Sequence, residues 1–289
     1  MNKQTKVWLV LSIVLSLLAL GSACSKSDSG TNAPASGGSE TAAAPYSGPT
    51  GTITGVISFN GTPPAPKKID TSADAVCSQK VPNLMTDDTV VKDGKLANTF
   101  VYIKEGTVDG GKKIGEYSWA TPTTAVQLDQ NGCHYKPHVI GIMVNQKLSV
   151  TNSDATQHNI HPTPKLNAEW NQTQPNGAGP IEKSFNRQEV LIPVKCNQHP
   201  WMKAYIGVTK TPFYAVSGED GTFEIKGVPP GTYTVVAWKE GGAEGTTKTM
   251  EVKVPANGSA KADFAFGEGA ASALLNPSPL KMMPAISFH

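Results

Sequence analysis

Nearly every patterned segment of this chain alternates apolar and polar residues. GTITGVISF from Gly51, NTFVYI from Asn98, HVIGIMV from His138, KLSVT from Lys147, EVLIPV from Glu189 and AYIGVT from Ala204 are short and rich in β-branched residues. Gly, Pro, Asn and Asp separate them. Alternation at period two sends successive side chains to opposite faces, so such a segment buries one clean apolar face only as a strand. No stretch holds the helical period over a useful length. The pattern predicts an all-β chain built as an antiparallel sandwich or barrel.

The N-terminus is organised differently. Lys3 and Lys6 precede an unbroken apolar run from Val7 to Leu20, and the small residues Gly21, Ser22 and Ala23 follow. Residues 1–23 read as a secretory signal peptide, too short for a comfortable membrane span. Cys24 stands directly after it in LALGSAC, which resembles a bacterial lipoprotein signal whose cysteine is lipidated; Gly21 stands where such signals usually carry Leu. Cleavage after Ala23 without lipidation is the alternative. Residues 24–50 are mostly Ser, Gly, Ala, Thr and Pro and read as a flexible tether. The lipoprotein resemblance implies a membrane-anchored protein at the periplasm or cell surface. A formal net charge of +2 and the absence of a basic run argue against nucleic acid.

Between Val194 and Tyr205 the chain reads KCNQHPWMKA, placing Cys196, His199 and Met202 at steps of three residues. Upstream, TNSDATQHNIH supplies His158. Two imidazoles, a thiolate and a weak axial thioether form the donor set that selects copper for electron transfer. Zinc suits it less, because Met is a poor zinc ligand and the chain has no Cys-x-x-Cys. The loop resembles the ligand loop of cupredoxins, particularly the amicyanin type, Cys-x-x-His-Pro-aromatic-Met, with Trp201 at the aromatic position. That resemblance implies a Greek-key β-sandwich with one type 1 copper. His158 and His199 would be its imidazole ligands, Cys196 its thiolate and Met202 its long axial ligand. It also implies a docking patch at the surface from His199, Pro200 and Trp201, and a bracing role for Asn159. With Cys24 and Cys196 used in these ways, Cys77 and Cys133 remain as disulfide partners in an oxidising compartment. Closing a loop of roughly 55 residues would contribute about 4 kcal/mol in the chain-entropy model. The run CHYKPH brings Cys133, His134 and His138 together as a superficial metal cluster, which the disulfide use of Cys133 weakens. His161 reads as a solvent-facing loop residue.

Beyond Lys210 the segment FYAVSGEDGTFEIKGVPPGTYTVVAWKEG resembles a carboxypeptidase-regulatory-like (transthyretin-like) β module, completed by KTMEVKV and KADFAF. Such modules often begin with a strand like GTITGVISFNG followed by prolines, as residues 51–66 do. The expected organisation is a copper body over 51–210, a regulatory-like module over 211–267 and an irregular tail over 268–289. Residues 51–66 are assignable to either body, so tandem and inserted arrangements both stay open.

No His-x-His motif, second loop cysteine or hydrolase signature accompanies the site, so an enzyme is not expected. The reading is an envelope-anchored blue copper protein passing single electrons between periplasmic donor and acceptor proteins. The alternatives are a surface binding or adhesion protein without a redox role and a periplasmic copper carrier, the latter drawing on His134, His138 and His161.

Overall fold

A computed structural model of the chain describes residues 43–242 and 245–267. The signal peptide, Cys24, the tether up to residue 42 and the tail 268–289 lie outside the described residues. The described part is almost entirely β. Its strands form four sheets, and its α-helix, Ala75–Lys80, has only six residues.

Two sheets enclose a first core that includes Ile53, Ile57, Val101, Phe213, Tyr233, Val252 and Phe264. In one of them the strand Gly51–Asn60 lies antiparallel to Thr222–Val228 and parallel to Ser259–Lys261 and Phe264–Gly267. The other runs in the order Tyr214–Val216, Phe100–Val108, Gly231–Lys239, Thr246–Val254. A second core of Leu128, Ile142, Val150, Ile160, Ile192 and Ile206 is built by the remaining two sheets. The chain thus starts the first sandwich, builds the second between residues 126 and 209, and returns to complete the first.

Residues 51–210, expected as one body, therefore contribute to both cores. Phe100–Val108 takes its ladder partners from Gly231–Lys239, in register from Gly231 opposite Val108 to Trp238 opposite Phe100. Alternation marks a strand without saying which sandwich it joins. Tyr46, inside the expected tether, packs edge-on against Tyr117 with ring centroids 5.4 Å apart.

The two cores meet through Phe100, Val139 and Trp238, with Tyr205 and Tyr214 packed against them. Opposite these rings, Gly141 and Gly207 are register partners on the parallel strands Val139–Met143 and Lys203–Thr209. A Cβ on Gly207 would run into the Phe100 ring and one on Gly141 into the Tyr214 ring. Glycine is used here for close approach, giving the aromatic rings a flat seat.

Candidate metal centre

The strand Glu189–Lys195 ends one residue before Cys196, and Lys203–Thr209 begins one residue after Met202. These strands pair antiparallel, with Lys195 opposite Lys203, so the loop between them is anchored at both ends. Inside it, the Met202 N–H donates to the His199 carbonyl at 2.9 Å and the Cys196 N–H to the Met202 carbonyl at 3.3 Å. His158 opens the strand His158–Pro162, which pairs with the same Glu189–Lys195 strand. His158, at the start of its strand, thus meets the loop that follows a neighbouring strand of the same sheet.

The structure brings His158, Cys196 and His199 together with one ligand atom each, all within 4.8 Å of one another. The His158 and His199 Nδ1 atoms are 2.9 Å apart, and the Cys196 Sγ is 3.6 Å from His199 Nδ1. All three residues are buried, as is Met202, which packs in the same core. Two imidazole lone pairs facing at this distance repel unless something positive lies between them. A shared proton would fill that role without a metal, and a cation would replace it.

Both rings are held from behind. His158 Nε2 lies 3.0 Å from Asp154 Oδ2, and His199 Nε2 lies 3.2 Å from Asp74 Oδ2. A carboxylate on Nε2 fixes the ring and leaves Nδ1 as the lone-pair donor. Asp154 is itself fully buried and accepts from the Gly132 and Cys133 N–H groups and from Lys80 Nζ. Asp74 caps the Ala75–Lys80 helix through the Cys77 N–H and also accepts from Thr156. Cys77 and Cys133 are disulfide-bonded, tying the helix that carries the Asp74 cap to the turn that feeds Asp154. Asn159 Oδ1 accepts from the Asn197 N–H at 2.8 Å and lies 3.3 Å from the Cys196 sulfur.

The electrostatics follow from these contacts. Burial alone would push the Cys196 thiol up, but hydrogen bonds with His158 and His199 bring it down to about 6. Burial would lower His158, and the bonds to Asp154 and Cys196 reverse that, raising it to about 9. Burial would also raise Asp154, yet its bonds from His158, Lys80 and two backbone amides hold it well below the carboxylate range. Both shifts run in the direction that favours a thiolate beside an imidazolium in the metal-free pair.

The surface placement expected of His199 is not met. Its residue is 3% exposed, because Asp74 covers the Nε2 edge that would otherwise face solvent. Pro200 is exposed and Trp201 half-buried, its ring centroid 5.1 Å from that of His199. His161 is half-buried and bonded to Asn197 and Glu169, away from the triad's ligand atoms. Sequence reasoning missed Asp74 and the role of Asp154. The signal for Asp154 was its place four residues before His158; Asp74 gives none, since only the fold brings it to residue 199. A cavity of about 520 Å³ beside Tyr102, Tyr205 and Trp238 shares no lining residue with the triad.

The donor set, two imidazole nitrogens and a thiolate with a buried thioether on the same loop, fits a soft or borderline transition ion.

A family model described as polysaccharide lyase family 4, domain II, matches residues 197–262. No curated protein matches the chain. Among solved structures, the chain is similar to a copper-containing nitrite reductase from Thermus scotoductus SA-01, at 21% identity and a TM-score of 0.26. That match covers 31% of this chain and only 23% of the reductase. A purple cupredoxin from Nitrosopumilus maritimus is 22% identical over 29% of this chain and 99% of its own, with a TM-score of 0.25. An oxidised amicyanin variant is 20% identical over 29% and 81%, at 0.26.

Proposed function

We propose that His158, Cys196 and His199, with Met202 as a weak fourth ligand, hold one copper ion, and that the protein carries single electrons. The observation that carries this reading is the convergence of both Nδ1 atoms on the Cys196 sulfur while both Nε2 atoms are occupied by carboxylates. Copper bound there supplies one-electron chemistry between Cu(I) and Cu(II). The chain's own residues do the rest. The paired strands hold the loop, Asp154 and Asp74 fix the two rings, and close packing excludes water, so little rearranges when the charge changes.

On this reading the protein is not an enzyme. The second sandwich is the copper body, inserted into a regulatory-like module formed from both ends of the described chain. A lipid anchor at Cys24 would hold it at the envelope, in the periplasm or at the cell surface, where donor and acceptor proteins meet it over a small interface. With His199 covered, Pro200 and Trp201 are the part of the loop left for such contacts.

The test is spectroscopic. Purified protein given Cu(II) should develop intense visible absorption from a thiolate-to-copper transition, and Cys196→Ser should abolish it. A colourless complex, or colour that survives the substitution, overturns the assignment.

A further inference from the structure

A second histidine cluster lies where three distant segments meet. His134 and His138 flank the strand Tyr135–Lys136, Asp87 comes from the loop before Val91, and Glu240 follows the strand Gly231–Lys239 of the other sandwich. Both histidines are buried, at 7% and 6% exposure. The Nδ1 of each is buried and without a hydrogen-bond partner. Each of these atoms lies 3.5 Å from the same oxygen, Asp87 Oδ2. Two unpaired nitrogens in one native interior call for an explanation.

The distance supplies one. At 3.5 Å an N–H···O contact is too long to be a good hydrogen bond. Each of these two contacts matches the ligand-to-ligand edge around a divalent ion, because donors at about 2.0–2.2 Å in tetrahedral array stand about 3.4 Å apart, while the three atoms do not all lie within 4.8 Å of one another as those of the thiolate site do. Glu240 Oε2 sits 2.6 Å from His138 Nε2, the carboxylate backing that leaves Nδ1 as a lone-pair donor. Glu240 is occupied further by Lys203 Nζ and the Tyr205 hydroxyl, and Lys203 also pairs with Asp88. Asp87 has no closer partner among the described residues.

We infer that His134, His138 and Asp87 form a second metal site, taking a divalent ion of the zinc type through two imidazole nitrogens and one carboxylate, with water completing the shell. Imidazole and carboxylate without thiolate suit Zn(II). The three atoms are not gathered as tightly as those of His158, Cys196 and His199, so the ion closes this site rather than entering a finished one. Binding is therefore weaker than at the thiolate site. It also ties Glu240 of one sandwich to the other through His138.

Zinc titration of the full chain, followed by calorimetry and metal analysis after dialysis, tests this. The wild type should take two equivalents. Cys196→Ser should keep only the weaker one, which makes the result independent of the copper reading. His134→Ala with His138→Ala should keep only the tighter one. Asp87→Asn, at a partly exposed side chain that leaves folding intact, should weaken the second equivalent about tenfold or more. Failure of Cys196→Ser to take up zinc overturns the site, as does an equivalent that survives that substitution combined with the double one, or one that keeps its affinity in Asp87→Asn.

Discussion

Both histidine clusters set buried imidazoles against carboxylates, and they differ in how completely those groups are satisfied. Around His158 and His199 every outward nitrogen has a carboxylate, and Asp154 has four donors of its own. Around His134 and His138 one carboxylate faces two nitrogens at a distance too long to bond either well. The first cluster has its geometry fixed before any ion arrives, whereas the second keeps unpaired nitrogens that an ion would satisfy. Preorganisation is thus a property of the surrounding shell and not of the ligand residues alone.

The comparison breaks most visibly at Asp154. Replacing it with Ala leaves a buried imidazolium, Lys80 and two amides without their acceptor, so Asp154→Ala should cost about 3–5 kcal/mol by urea denaturation. A loss under about 1 kcal/mol would mean the shell is not what holds the first cluster. Next comes the disulfide, which staples the Asp74-bearing helix to the Cys133 turn. Cys77→Ser with Cys133→Ser should cost about 2–5 kcal/mol. It should also loosen His199, because Asp74 is then held only by Thr156 and its own helix.

How much of this was legible in the sequence follows from what each signal encodes. Period two gave the strands, because alternation is a local consequence of burying one sheet face. The step from Cys196 to His199 put two of the three clustered donors on one short loop, a proximity that needs no knowledge of the fold. The crossing of Phe100–Val108 into the other sandwich was invisible, as pairing partners are chosen by packing over more than a hundred residues. Asp74 was invisible too, lying 125 residues from His199 with only the fold to join them. The expectation of a surface-facing His199 failed for that reason: a covering group from elsewhere in the chain leaves no mark on the loop it covers.

Protonation separates metal-free stability from metal affinity in the first cluster. His158 is raised from 6.5 to about 9, so its contribution is complete below pH 6.5 and is lost as pH rises through about 9. Cys196 is depressed from 9.0 to about 6, so its contribution is complete above pH 9 and is lost as pH falls through about 6. Between about 6.5 and 9 these slopes oppose each other, because the proton has moved from sulfur to nitrogen without leaving the pair. His199, also raised, adds a slope of the same sign as His158. Metal-free stability should therefore drift down only slightly over that window, by about 1 kcal/mol or less in urea midpoints. Metal affinity should rise about tenfold per pH unit across it, since binding must expel the remaining proton. Calorimetry in buffers of different ionisation enthalpy would count that proton, and none released would mean the pair is already deprotonated.

The smallest effect is the sharpest comparison. Asp87→Asn keeps the shape of the second cluster while removing the charge that faces two buried imidazoles. The Asp87 side chain is 35% exposed, so solvent already screens it and no buried group loses a good hydrogen bond. Metal-free stability should change by less than about 0.5 kcal/mol. Asp154→Asn, an equally conservative change at a fully buried carboxylate, should cost several times more, because four donors there lose a charged acceptor. Equal costs would place the two carboxylates in the same role and remove the distinction between a site held ready by its shell and one left for an ion to close. Unequal costs, with zinc affinity falling in Asp87→Asn, would locate the binding energy of the second cluster in the ion itself.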